Sequence, residues 1–323
     1  MKVYLAFIFT VLSSFSLFSQ ILDGHHINDF GCYGEKKLNK APKKVYISSF
    51  KVFYQVYISD KHKHNSNQKA PQEYEATLVG VDTSEFQDIT NDLYTYFVDS
   101  LTKKGYEIVP FDSVKNAKYF DGWVEHKGGE ITQSHIEGYL LSRPSGYTHF
   151  EHKAFDHISF VDELPKLSKE LGNIIVMDVE FVLPFVHTNT SKTGYDGSHI
   201  SNAHIQFNIT PLIGGHEAKA TAQTRIHIAY GNPAGVAAIT NMVYGLKHPV
   251  VLDGVLTSKT LEPKKESEQN PDYYYLVFTE DQINNVTHHV VCDPKAYKQA
   301  SLNKIKEFSR FAFHKLFYFH ELE

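Results

Sequence analysis

Cysteine is nearly missing from this chain of 323 residues, which holds two, Cys32 and Cys292. With no C-x-x-C pair, a dithiol redox centre or a cysteine-rich zinc site is excluded. An excess of positive charge is missing too: 32 Lys and Arg stand against 37 Asp and Glu, a net charge of −5. Gripping a phosphate backbone needs a basic field, so nucleic-acid binding is not expected. No apolar run reaches the roughly 20 residues that a membrane-spanning helix needs, so no transmembrane helix is expected in the mature chain. Several catalytic signatures are absent as well. No G-x-G-x-x-G follows a strand, and there is no phosphate-binding P-loop, no G-x-S-x-G elbow and no H-E-x-x-H. "GGHEAKA" opens like the last of these but lacks its second histidine.

What is present begins with "MKVYLAFIFTVLSSFSLFSQ". One lysine, a short apolar stretch and small residues at the end read as a secretory signal over residues 1–20. No cysteine follows it directly, so a lipid anchor is not expected, and the mature chain is expected to be exported: periplasmic, secreted or associated with an outer membrane. In an oxidising compartment Cys32 and Cys292 form a candidate structural disulfide, worth about 4–5 kcal/mol by loop entropy. The alternative is two free thiols.

Residues 21–43 read as an irregular leader, and residues 44–320 as a single α/β domain with a candidate division near 155–172. Strands are expected over 43–59 and 74–81. "DTSEFQDITNDLYTYFVDSLTKKG" has a capping residue at its front. An apolar stripe of Phe86, Ile89, Leu93, Phe97 and Leu101 follows, with a glycine stop at Gly105, which together predict a helix. A short strand at 106–111, a second helix from about Asp112 to His126 and a third over 160–172 follow. Strands come next at 173–188, 201–214 and 216–231, the last two as a hairpin. Residues 232–256 read as a short packed helix and then a strand or loop. "YYYLVF" and "VTHHVVC" read as strands, and residues 294–319 as a closing helix. Strand, helix, strand order argues for an α/β (α+β) fold: a central mixed sheet with helices on one side and several antiparallel strands in the C-terminal half.

Histidine is abundant, at 19 residues. His25-His26, His62-x-His64, His149-x-x-His152 and His288-His289 are candidate ligands, but no cluster alone supplies the three or four ligands of a zinc site. His288 and His289 fall on opposite faces of one strand. Asp178 and Glu180 share a strand face, where one of two neighbouring carboxyls would be raised, as a hydrolase site requires. No residue is assigned a catalytic, cofactor-binding or metal-binding role, and no cofactor is expected.

"KVYISSFKV" followed by "ITNDLYTYFVDSLTKKGYEIV", within residues 44–111, resembles the periplasmic α/β domain of the curli-secretion lipoprotein family and the N-terminal domain of the Tol-system translocation protein. "NIIVMDVEFV" is similar to a later strand of that fold. The resemblance implies an envelope domain that works through contacts with other envelope or secreted proteins. The expected function is therefore binding or assembly. The alternatives are an extracytoplasmic hydrolase using carboxylates or a histidine-bound metal, and a carbohydrate-binding protein using the Tyr-rich strands.

Overall fold

A computed structural model describes residues 26–29, 32–61, 73–151, 164–185, 208–210, 212–213, 222–231, 239–255, 261–263, 270–278, 286 and 288–322. The signal segment, His25, His62, His64 and His152 lie outside them. In chain order the strands of the first half are β1 (Ile27–Asp29), β2 (Lys44–Gln55), β3 (Tyr57–Lys61) and β4 (Glu73–Val79). Helix α1 (Thr83–Thr102) precedes β5 (Glu107–Ile108), β6 (Val124–Lys127), β7 (Thr132–Gln133), β8 (Tyr139–Ser142) and β9 (Thr148–Glu151). Then come α2 (Leu164–Glu170), β10 (Ile175–Leu183), β11 (Asn208–Ile209), β12 (Leu212–Ile213), β13 (Ala222–Gln223), β14 (Arg225–Gly231) and β15 (Ile239–Leu246). The chain closes with β16 (Val250–Val251), β17 (Leu261–Pro263), α3 (Tyr274–Val277), β18 (His288–Val291) and α4 (Pro294–Glu321).

The fold is an α/β arrangement built on an eight-stranded mixed sheet in the order β1-β15-β14-β10-β2-β8-β7, with β5 also paired to β2. Its centre is the parallel ladder of β2 and β10. That ladder slips between Met177 and Asp178, where Ser48 is the extra residue of a bulge. The slip decides which side chains face which way. Before it, Val45 and Ile47 enter the main core; after it, Phe50, Val52 and Tyr54 do. Ser49 and Lys51 are thereby turned to the opposite face. A second sheet, β17-β18-β4-β3, joins β4 and β18 in parallel.

Helices α1 and α4 lie together on the core face. Phe97 of α1 meets Phe313 of α4 at 4.9 Å between ring centres, and Lys298 of α4 pairs with Asp92 of α1 at 2.9 Å. The start of α1 is held from both sides: Glu85 accepts the Asp82 N–H at 2.9 Å, and Asp272 accepts the Thr83 N–H at 3.1 Å. The other face of the sheet carries two smaller apolar clusters, one around Tyr46, Phe120, Leu167 and Val176, the other around Phe53, Tyr139, Leu141 and Val182. Leu167 brings α2 to this second face, so the helices are not confined to one side of the sheet as expected.

Four expectations need correction. Residues 113–126 are not a helix but two 3-10 turns and the start of β6. "YYYLVF" is not a strand: Tyr274–Val277 is a helical turn with Tyr273 and Tyr274 fully buried, and the Tyr274 hydroxyl lies 2.7 Å from Thr77 Oγ1. The leader is not irregular throughout, because β1 pairs with β15 and Glu35–Lys40 forms a 3-10 helix. The small-residue stretch contains a strand, β15, rather than a helix over its described residues.

The Cys32–Cys292 disulfide is also absent: both thiols are free. Cys32 Sγ lies 3.8 Å from the Val243 carbonyl, next to Tyr244, whose ring packs on Phe311 of α4 at 5.6 Å. Cys292 stands just before α4 begins. From Pro294 to Phe311 the helix rises about 25 Å, at about 1.5 Å per residue. A disulfide needs Cα atoms within about 7 Å. Burial, reinforced by neighbouring Asp29 and Asp293 respectively, pushes both thiols up to about 12.

One close approach explains a glycine. Gly80 has φ +90°, and a Cβ there would stand 2.3 Å from the Cys292 carbonyl oxygen. That contact sits where Cys292 N–H donates to Val79 O at 3.0 Å, at the end of the β4–β18 ladder. Gly80→Ala is expected to cost about 3 kcal/mol, combining left-handed strain with a backbone clash. Gly122 has φ +82° but nothing within 4 Å of a built Cβ, so Gly122→Ala should cost only about 1 kcal/mol. Urea denaturation of the two variants checks the difference.

Candidate functional site

Alternation along β10 places Val176, Asp178, Glu180 and Val182 on the face away from α1 and α4. The two valines belong to the two small apolar clusters. The two acids lie between those clusters, so a polar band crosses the sheet there. Neighbouring strands extend it. β14 sets His227 opposite Asp178 and Arg225 opposite Glu180, and β2 sets Lys51 opposite Glu180. On β15, Asn241 reaches the His227 ring nitrogen Nε2. The far side of the band comes from the segment after β8 and from the β6–β9 pair: Arg143, His126, His149 and Glu151.

The contacts in the band are mostly between opposite charges. Arg225 Nη2 donates to Asp178 Oδ2 at 3.1 Å. Glu180 accepts the Gln223 N–H. Arg143 donates to Glu151 Oε1, and Glu151 also has His149 Nε2 at 3.5 Å and His126 Nε2 at 3.9 Å. Burial raises the Glu180 carboxyl above its ordinary value, although Arg225 and Lys51 oppose the shift. Burial holds the Lys51 ammonium below the usual lysine range, against the attraction of Asp178 and Glu180. The His149 ring, stacked on Tyr147 at 5.4 Å, is lowered to about 3, first by burial and then by the charges of Arg143 and Lys51.

The pairing of Asp178 with Glu180 on one face stands as the sequence suggests. Their partners come from other strands and loops, beyond the reach of one strand's alternation. Lys51 reaches the band through a bulge, and Arg143, His149 and Glu151 through contacts between distant parts of the chain. No family model, no curated protein and no solved structure matches the chain.

Among the described residues, one group of metal-binding atom types is close enough to share an ion: Asp29, Cys32 and Glu35, whose ligand atoms lie within 4.8 Å of one another. They fall in or just beyond the stretch "GHHINDFGCYG", which also carries the candidate ligands His25 and His26. Spacing by threes was the available signal. Here Asp29 accepts the Cys32 N–H at 3.0 Å, a local turn contact that accounts for the acid beside the thiol. Of the aromatic-rich "YYYLVF", only Tyr275 among its three tyrosines is exposed. No helix among the described residues is long and apolar enough to cross a membrane.

Proposed function

We propose that this is an exported envelope protein that acts by binding or assembly rather than catalysis, and that the polar band on the second face of the central sheet is the surface it uses. The observation that carries this reading is the band itself: charged side chains from β2, β10, β14 and β9, fixed by regular strands and flanked by apolar clusters. Charges fixed within a rigid surface favour complementary recognition of a partner. The signal-like N-terminus and the resemblance of residues 44–111 to periplasmic domains that work through protein contacts support the same reading.

A photo-crosslinking residue at Val124, which is 38% exposed and two positions from His126, tests it. Tyr318, 52% exposed on α4, serves as the control position. Expressed in its native envelope, the Val124 variant should form a discrete adduct and the Tyr318 variant should not. No adduct at Val124, or equal adducts at both positions, would overturn the reading.

One observation favours a second reading, an extracytoplasmic hydrolase. Glu180 has a raised carboxyl while its neighbour Asp178 is engaged by Arg225, the division of roles that an acid and a partner carboxylate need. Turnover of chromogenic esters or glycosides that disappears in Glu180→Gln would establish it.

A further inference from the structure

Resting on the polar-band reading, we infer that the band holds a site for a small oxyanion, a carboxylate or phosphate group, received by Lys51, Arg143 and His149. The argument is one of unmatched donors. The acids of the band are already engaged: Asp178 by Arg225, Glu180 by the Gln223 N–H, and Glu151 by Arg143 Nη2. What is left over is donor capacity. The Lys51 ammonium makes no hydrogen bond or ion pair among the described residues. Arg143 has a side chain 12% exposed, and its Nε has no hydrogen-bond partner. His149 has a side chain 2% exposed, and neither ring nitrogen meets the geometry of a hydrogen bond, Nε2 standing 3.5 Å from Glu151 Oε1.

Arg143 and His149 both meet Glu151, and Lys51 stands opposite Glu180 on the same face of the sheet, close enough for Arg143 and Lys51 to act electrostatically on His149. Buried donors without acceptors are costly, at about 1–3 kcal/mol each and more when charged. A ligand that relieves this cost must bring acceptors. A cation is disfavoured by Lys51, Arg143 and Arg225 together. A neutral carbonyl would give the Lys51 ammonium no ion pair, leaving it only the longer-range attraction of Asp178 and Glu180. An oxyanion answers both needs, because its oxygens accept from a guanidinium, an ammonium and a neutral imidazole at once.

Titration calorimetry on the purified full chain tests the site, using inorganic phosphate and, separately, acetate, with ionic strength held constant by chloride. The expected result is saturable one-site binding of at least one anion, weakened at least tenfold in both Lys51→Gln and Arg143→Gln. The preferred probe tells whether the natural group is a phosphate or a carboxylate. A measurement on the unmutated protein guards against misfolded variants: the ring-nitrogen resonances of His149 should shift on adding the bound anion. Absence of saturable binding for both anions, unmoved His149 resonances, or wild-type binding in Lys51→Gln would overturn the inference. The two ideas fail separately. Anion binding without a Val124 adduct removes the partner-binding reading and keeps the site, whereas an adduct without anion binding does the reverse.

Discussion

Phe97→Ala is expected to lower the unfolding free energy by about 4 kcal/mol, read as a fall in the urea midpoint at unchanged slope. Phe97 is completely buried on the inner face of α1. Its ring meets Phe50 of β2 at 5.2 Å, Phe181 of β10 at 6.0 Å and Phe313 of α4 at 4.9 Å. It therefore touches both strands of the central parallel ladder and the helix that covers them. Neighbours on three elements, each held by its own backbone pairing, cannot collapse together to fill the space of a lost ring, so the cavity cost adds to the lost transfer energy. Edge-to-face contacts are lost besides. A loss below about 1 kcal/mol would mean that the core around Phe97 relaxes freely.

The second large effect depends on pH. His149 binds its proton only near pH 3 in the folded chain, against an ordinary value of 6.5. Above pH 6.5 the ring is neutral whether the chain is folded or not, and its contribution is fully present. As pH falls from 6.5 toward 3, the unfolded chain takes up the proton and the folded chain does not, so stability drops with a slope of one proton. The total loss across that window is roughly 3–5 kcal/mol. The groups facing the ring are Arg143, Lys51, His126, Glu151 and Tyr147. Replacing the imidazole by a ring that cannot titrate, His149→Phe, should remove one proton from the slope of stability against pH between 6.5 and 3. An unchanged slope would place the acid sensitivity elsewhere.

How much could be read from the residues alone depends on the range of the interaction. Helix α1 was legible because its signals are local: an acid at the front, apolar residues at three- and four-residue steps, a glycine behind. The start of α4 at Pro294 was legible for the same reason, with Asp293 accepting the Ala296 N–H at 2.7 Å. "YYYLVF" misled because aromatic residues suit a strand, yet the burial of Tyr273 against Phe86 of α1 and of Tyr274 against Thr77 of β4 selected a helical turn. The alternation of Asp178 with Glu180 was legible, being a property of one strand. Their environment was not. Lys51 faces them only because the ladder slips at Ser48, and Arg143 comes from another part of the chain. The cysteine pairing failed for a related reason: separation in sequence says nothing about the length of helix α4 lying between two thiols.

The parallel ladders also bear on when this chain can fold. Val45 pairs with Ile175 in the central sheet, and Ala76 pairs with His288 in the second. Helix α4, the last element, supplies Phe313 to the aromatic contacts at the middle of the core. No early stretch of the chain can complete either sheet with partners made before it. A nascent chain would hold β2 without its parallel partner until residues 175–183 had emerged, and β4 without its parallel partner until residues 288–291 had. Such long-range closure slows folding, and it leaves edge strands exposed to other chains in the meantime. The same connectivity leaves the second sheet incomplete until nearly the whole chain has been made.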